Sequence, residues 1–312
     1  MSKLRAGVIG VGYLGRFHAQ KYAQLNDVEL IGVHDTDSAR AQAVAEELGC
    51  RRFDGHAELA AASDAVSIAA NTPAHYSLVT DCLEAGCHVF VEKPIAETSR
   101  EAGELADLAA SHRRQLQVGH IERFNPALIA ARAHMRDVRF IECHRLAAFK
   151  HRGADVDVVR DLMIHDLDVI LSIIDAQPCS VSAMGLPVLT DKIDIANARI
   201  EFDNGAVANV TASRVSTSAQ RKLRIFQSQQ YMGVDFGRVS VQRVTRSAHW
   251  NGTDEPLEIG ETSFDKGDAL RAEIESFVTA IRTGTAVLVS GRDGQRVLAL
   301  AETILEKMSA HR

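Results

Sequence analysis

Two groups of residues in this chain have the types and spacing that chemistry requires. The first is Gly10-Val11-Gly12-Tyr13-Leu14-Gly15, with Asp35 twenty positions beyond Gly15. Three glycines in this pattern, between an apolar run and a helical one, suit a phosphate-bearing dinucleotide. Gly10 permits a tight turn, Gly12 lets the backbone approach the pyrophosphate, and Gly15 allows helix and strand to pack closely. The helix start at Tyr13 and Leu14 presents N–H groups to the negative charge. Asp35 stands where a carboxylate would accept hydrogen bonds from the adenosine ribose hydroxyls and repel a 2′-phosphate. Asp37 follows, and no arginine occurs between Asp35 and Arg40. The pattern favours NAD over NADP.

The second group is Lys93, set between Glu92 and Pro94, together with Asp161 and His165. Lys93 follows an apolar run at what should be the carboxyl end of a parallel strand, the edge that faces the ligand crevice in a doubly wound sheet. A lysine there can stay charged and hydrogen-bond a reacting oxygen, or burial can lower its pKa enough for proton transfer. A lone lysine at a strand end would otherwise be read as a surface residue. At roughly 100° per residue, Asp161, His165, Asp168 and Ser172 fall within an arc of about 60°. The rest of that helix is almost wholly apolar, so it should be buried, with its polar stripe facing partners or a cavity. A solvated stripe is the plain alternative. His165 suits acid–base work on a hydroxyl, since an imidazole titrates near about 6.5. Asp161 would position the substrate or His165. A histidine flanked by carboxylates could also hold iron or zinc, but no second histidine is close in sequence, and no metal is expected.

The elements that must position these residues are legible as alternating patterns. Residues 4–10, 29–33, 65–70, 89–92 and 116–119 read as strands, and 13–25, 38–48, 75–85 and 99–111 as helices between them. This alternation predicts a Rossmann-type parallel sheet covered on both faces, over residues 1–120. Beyond residue 120 the pattern changes. Asn125-Pro126 reads as an N-cap with proline at the first helical position. A strand-like run at 138–149, a helix at 158–174 and strand-like runs at 180–186, 193–202, 206–213 and 223–236 follow. Asp203-Asn204-Gly205 is a hairpin signal. Consecutive strands predict an α+β domain with a mainly antiparallel open sheet over 121–312, closed by helices at 267–282 and 293–308. Val207, Val210, Val239 and Val241 suggest that the sheet face away from its helices is not wholly polar.

Taken together the motifs resemble the Gfo/Idh/MocA oxidoreductase family along almost the whole chain. The residues carrying the resemblance are the Gly10–Gly15 fingerprint, Asn71-Thr72-Pro73, Glu92-Lys93-Pro94 and Asp161-Leu-Met-Ile-His165. It implies an NAD-dependent dehydrogenase that oxidises a sugar hydroxyl, with Lys93, Asp161 and His165 as the catalytic set. It also implies that Asn71, Thr72, Pro73, His75 and Glu92 line the cofactor cleft and that Lys93–Pro94 is cis. For His75, packing at a helix N-terminus is an equal alternative. Residues 119–126 and 157–171 are similar to nucleotide-sugar dehydrogenases, which implies a substrate such as UDP-N-acetylglucosamine oxidised at its 3-hydroxyl. His120, Arg123, Lys150 and Arg152 are the candidate substrate contacts. Arg123 could instead pair with Glu122, and Lys150 to Arg152 could be a solvated basic turn. Sheets of this family pack between subunits, which implies a homodimer or homotetramer. Two other readings stand beside this one: a dehydrogenase of a free sugar or inositol, and a catalytically silent NAD-bound sensor. The latter has no reason to keep Lys93, Asp161 and His165 together.

Composition bounds the rest. At 312 residues the chain can form two domains without disulfide or metal staples. A formal net charge of −6 is unlike the basic footprint of a nucleic-acid binder. Five cysteines with no C-x-x-C pair fit reduced thiols of a cytoplasmic protein. No signal peptide or membrane-length apolar run is expected.

Overall fold

The computed structural model describes residues 2–150, 156–247 and 257–309. The chain divides into two compact units, Met1–Ile121 with Asp268–Leu298, and Glu122–Gly267 with Ala299–Arg312.

The first unit alternates β1 (Leu4–Ile9), α1 (Tyr13–Gln24), β2 (Val28–His34), α2 (Ser38–Leu48), β3 (Arg51–Arg52), α3 (His56–Ala62), β4 (Ala65–Ile68), α4 (His75–Glu84), β5 (His88–Glu92), α5 (Ser99–Ser111) and β6 (Leu116–Gly119). All strand pairs are parallel, in the order β3-β2-β1-β4-β5-β6. The order reverses between β1 and β4, where such sheets open a crevice beyond their strand ends. All four residues of β4 and of β6 are buried, as expected of strands covered on both faces. The sequence pattern predicts neither β3 nor α3, because a two-residue strand and a seven-residue helix carry too little periodicity. One long helix differs from expectation in its allegiance. Placed by sequence order in the second domain, α8 (Ala269–Thr283) instead joins the first unit, where Ile274, Phe277 and Val278 share a core with Tyr22 and Phe90.

The second unit holds α6 (Pro126–Arg132), β7 (Val138–Leu146), a π-helical turn (Val159–Met163) that runs into α7 (Ile164–Ile173), β8 (Pro178–Leu186), β9 (Ile195–Phe202), β10 (Val207–Ser213), β11 (Gln220–Gln227), β12 (Gln230–Asp235), β13 (Ser240–Arg246) and β14 (Leu257–Ser263). A last helix, α9 (Gly291–Ser309), begins in the first unit and ends in the second. Asn125 caps α6 through the Ala127 amide, and Gly205 takes φ +81° in the turn between β9 and β10, both as the sequence predicts. The eight strands run β14-β13-β12-β11-β7-β10-β9-β8, antiparallel except for the parallel pair β7–β10. The single run expected at 223–236 is a hairpin, β11 and β12. Its turn passes through Gln229 at φ 60° and carries no glycine or asparagine to announce it.

Helices α6 and α7 cover one face of this sheet. Val210, Val239 and Val241 are buried, so they do not belong to the open face as expected. Of the four valines only Val207 lies there, in a row that crosses the sheet through Phe140, Phe226, Tyr231, Val244 and Ile259. The rings of Phe140, Phe226 and Tyr231 follow one another at 5.5 and 5.1 Å. Charged neighbours, led by the Arg224–Glu142 pair, flank the row.

Candidate active site

The glycine loop is shaped for a ligand as well as for its own packing. Gly10 has φ +81°, and a Cβ there would meet the Ala70 amide at 2.7 Å. A Cβ on Gly15 would lie 1.7 Å from the Gly10 carbonyl oxygen. Both glycines are therefore required by the protein itself. Gly12 is different: nothing lies within 4 Å of where its Cβ would be. Protein packing does not explain that glycine, whereas a pyrophosphate over the start of α1 does. Tyr13 and Leu14, 67% and 38% exposed, flank the same loop.

Asp35, at the end of β2, is buried. Its Oδ2 accepts the Val11 amide at 2.8 Å and its Oδ1 accepts the Asp37 amide at 2.9 Å. Arg40 reaches back to it at 3.3 Å and pairs with Asp37 at 3.0 Å. Two carboxylates thus enclose one guanidinium, and the cluster keeps a net negative charge.

After β4, Ala69 and Ala70 lie against Gly10, and Thr72, Pro73 and Ala74 form a short 3-10 turn with Asn71 at its N-cap position. His75 opens α4, with Nδ1 2.8 Å from the Pro94 carbonyl and Nε2 3.0 Å from that of Ala70. Burial, outweighing these contacts, pushes its pKa down. Of the two roles open to His75, the geometry matches packing at the helix N-terminus: it braces the segment that carries Lys93. The Lys93–Pro94 bond is cis, as the resemblance implies.

Glu92 turns its carboxylate inward. Oε1 accepts His18 Nε2 at 3.0 Å, and Oε2 lies 3.3 Å from the Lys93 amide. Burial disfavours its charge, but the His18 contact and the charge of Lys93 outweigh that, and the carboxyl is held below its usual range. His18 has no place in the sequence reading. A single histidine in an amphipathic helix carries no motif, and only the β4–β5 packing shows what it touches.

In the second unit Asp161 sits inside the π-helical turn and His165 in the first turn of α7, both partly buried. The wider turn places Asp161 off the uniform α-helical wheel drawn from the sequence; such bulges are frequent at functional sites. Two members of the polar stripe, Asp168 and Ser172, face protein partners. Arg123 does not pair with Glu122, which goes to Arg145 instead. The Arg123 guanidinium grips the fully buried Asp168 bidentately, at 2.7 and 2.9 Å. Ser172 is engaged by Arg132. Asp166 is held by Arg145 at 2.9 Å through both of its oxygens, and Arg145 also takes Glu122 at 2.9 Å. Burial opposes the charge of Arg145, but the attraction of Asp166 and Glu122 outweighs it and keeps the guanidinium ionised. Asp166 and Asp168, one and three residues after His165, are thus each clamped by a buried arginine.

His120 is buried just after β6, Lys150 is exposed, and Arg152 lies outside the described residues. No group of histidine, cysteine and carboxylate side chains among the described residues could hold a metal ion.

Comparison with known proteins follows this geometry closely. Residues 4–120 match the model of the "Oxidoreductase family, NAD-binding Rossmann fold" and residues 127–232 that of the "GFO/IDH/MocA C-terminal domain". The chain belongs to the Gfo/Idh/MocA family. It is an NAD-dependent dehydrogenase of that family. It is 43% identical over 310 residues to a UDP-N-acetylglucosamine 3-dehydrogenase of Acidithiobacillus ferrooxidans, with 96% of each chain covered. A solved structure of that enzyme superposes with a TM-score of 0.94 at 41% identity over 99% of both chains. An inositol 2-dehydrogenase of Rhizobium meliloti is 29% identical over 330 residues, covering 99% of this chain and 98% of its own.

Proposed function

We propose that this family member oxidises the 3-hydroxyl of a nucleotide-activated amino sugar, UDP-N-acetylglucosamine in type, to a ketone. The observation that carries the reading is likeness of 43% along nearly the full chain to an enzyme named for that reaction, against 29% to an inositol dehydrogenase. NAD, when bound on the Gly10–Gly15 loop, supplies the hydride acceptor. His165 or Lys93 takes the hydroxyl proton, Lys93 stabilises the developing alkoxide, and Asp161 orients His165 or the sugar.

A diphosphate needs cations, and the pairing of the basic side chains bears on the choice among them. Arg123, Arg160 and Arg214 are committed to Asp168, Asp157 and Asp194. Arg221, Lys222 and Arg238 line one recess of roughly 580 Å³, with Asp235 as its carboxylate. That excess of positive charge favours an anionic substrate over a neutral polyol. The test is a panel of UDP-N-acetylglucosamine, free N-acetylglucosamine, glucose and myo-inositol, followed at 340 nm. The nucleotide sugar is expected to react fastest. Faster turnover of a free sugar or inositol refutes the substrate, and no turnover of any sugar points to the sensor.

No helix of the described residues is long and apolar enough to cross a membrane. We infer a cytoplasmic protein that assembles as a homodimer or homotetramer through the apolar row on its open sheet face.

A further inference from the structure

The first unit contains a buried polar string that the proposed chemistry does not use. His18 and Tyr22, one turn apart on α1, are both fully buried. Tyr22 Oη lies 2.9 Å from Ser67 Oγ on β4, and Ser67 Oγ lies 3.3 Å from His18 Nδ1. His18 Nε2 ends the string on Glu92 Oε1 at 3.0 Å. The ring of His18 stands edge-on to Phe90 at 5.0 Å, which restrains its rotation. On the far side of Glu92, a Cβ at residue 119 would meet the carboxylate at 2.9 Å and push it from this position.

The direction of the string follows from its ends. Burial pushes the Tyr22 phenol up, so it keeps its hydrogen. Glu92 is ionised and can only accept, so His18 Nε2 must donate to it. When the His18 ring is neutral, Nδ1 accepts from the Ser67 hydroxyl, which in turn accepts from Tyr22. Every donor then points toward Glu92.

We propose that Tyr22, Ser67 and His18 form a string that holds the Glu92 carboxylate in place beside Lys93, making His18 a positioning residue for that lysine. The inference rests on the reading of Lys93 as the group that acts on the reacting hydroxyl. The physical logic is a contest of desolvation and pairing. Without His18 the carboxylate loses the contact that holds its orientation, and the ammonium beside it loses part of the negative charge that favours its charged form. The charged and titratable groups whose charge is coupled to Glu92 include His18 from α1, Lys93 next to it in sequence and His75 from α4; β6 sets the Gly119 backbone opposite it. His75 feels the Glu92 charge, but both its ring nitrogens are turned to carbonyls. At the far end, Glu273 of α8 acts on Tyr22.

The test reads Lys93 directly in the full-length protein. Lysines are methylated reductively with carbon-13 formaldehyde, and the Lys93 resonance is identified by its loss in Lys93→Arg and titrated by NMR. His18→Phe, which fills the ring's space but cannot donate, is expected to lower the Lys93 pKa by about one unit, a tenfold change in its proton affinity. His18→Gln, which restores an N–H near Glu92, is expected to return most of that shift. Should His18→Phe lack a native near-ultraviolet circular dichroism spectrum, Ser67→Ala carries the test, with a smaller shift in the same direction. A Lys93 titration that moves by less than about 0.3 unit in the folded variant overturns the proposal. The two readings fail separately. If Lys93→Ala keeps its turnover, the role of Lys93 falls while the string stands on the titration. If the titration does not move, the string falls whatever Lys93 does.

Discussion

Replacing Asp35 with asparagine should move this dehydrogenase toward NADP, and the size of the move follows from the charges around it. Asp35 and Asp37 together outweigh Arg40, and the guanidinium touches both. Two unit charges about 4 Å apart interact by about 1 kcal/mol in water and about 4 kcal/mol at the effective dielectric of a protein surface. Removing one carboxylate charge therefore relieves a 2′-phosphate of repulsion in that range and leaves Arg40 to attract it. NAD loses in the same step, because hydrogen bonds from ribose hydroxyls to a charged acceptor are worth about 1.5–3 kcal/mol and those to a neutral amide less. Asparagine also keeps one oxygen for the Val11 or Asp37 amide, so the turn should survive. The ratio of NADP to NAD affinity is expected to rise about a hundredfold, equivalent to about 2.8 kcal/mol. Calorimetric titration of both cofactors at low and high salt measures it, and the exposed part of the effect should shrink with salt. Adding Arg40→Ala to the variant should cancel the gain for NADP. If Asp35→Asn weakens both cofactors equally, the carboxylate serves only the turn and the selectivity argument is wrong.

Lys93→Ala and His165→Ala should each cut turnover by about a hundredfold or more while NAD affinity, read by fluorescence titration, stays near wild type. Arg123→Met strands a fully buried carboxylate and should cost about 3 kcal/mol in urea unfolding, much of it regained when Asp168→Leu is added. Burial opposes the charge of Asp194, yet the amides of Leu189, Thr190 and Val188 lower its pKa to about 2. Its folded pKa is depressed, so its contribution is complete above the unfolded value and fades as pH falls toward about 2. The urea midpoint gap between wild type and Asp194→Asn should therefore narrow between neutral pH and about pH 3. Light scattering at micromolar concentration should find a dimer or tetramer. Phe226→Lys, placed in the apolar row of the open sheet, should shift it toward monomer, and a wild-type monomer would refute that assembly.

What could be read from the sequence was what local chemistry determines. The Gly10–Gly15 loop, the caps at Asn125 and the turn at Gly205 each depend on a few adjacent residues, so spacing and residue type suffice. The same holds for the parallel sheet, whose strand–helix alternation allows little else. What the tertiary structure decided were the pairings between distant segments. The sequence offers Arg123 either Glu122 or a phosphate as partner, and only folding brings Asp168, 45 positions away, against it. Arg40 reads as too late in sequence to matter at Asp35, yet the first turn of α2 returns it there. α8 could cover either sheet by its amphipathic pattern, and only the three-dimensional fit of Phe277 against Phe90 assigns it to the first unit. His18 is the clearest case. Nothing near it in sequence distinguishes it from any other buried histidine, because its role depends on Ser67 and Glu92, 49 and 74 residues further on. Local rules determine the shape of an element, but a buried polar group takes its meaning from whichever partner the fold delivers, and that partner is set by global packing.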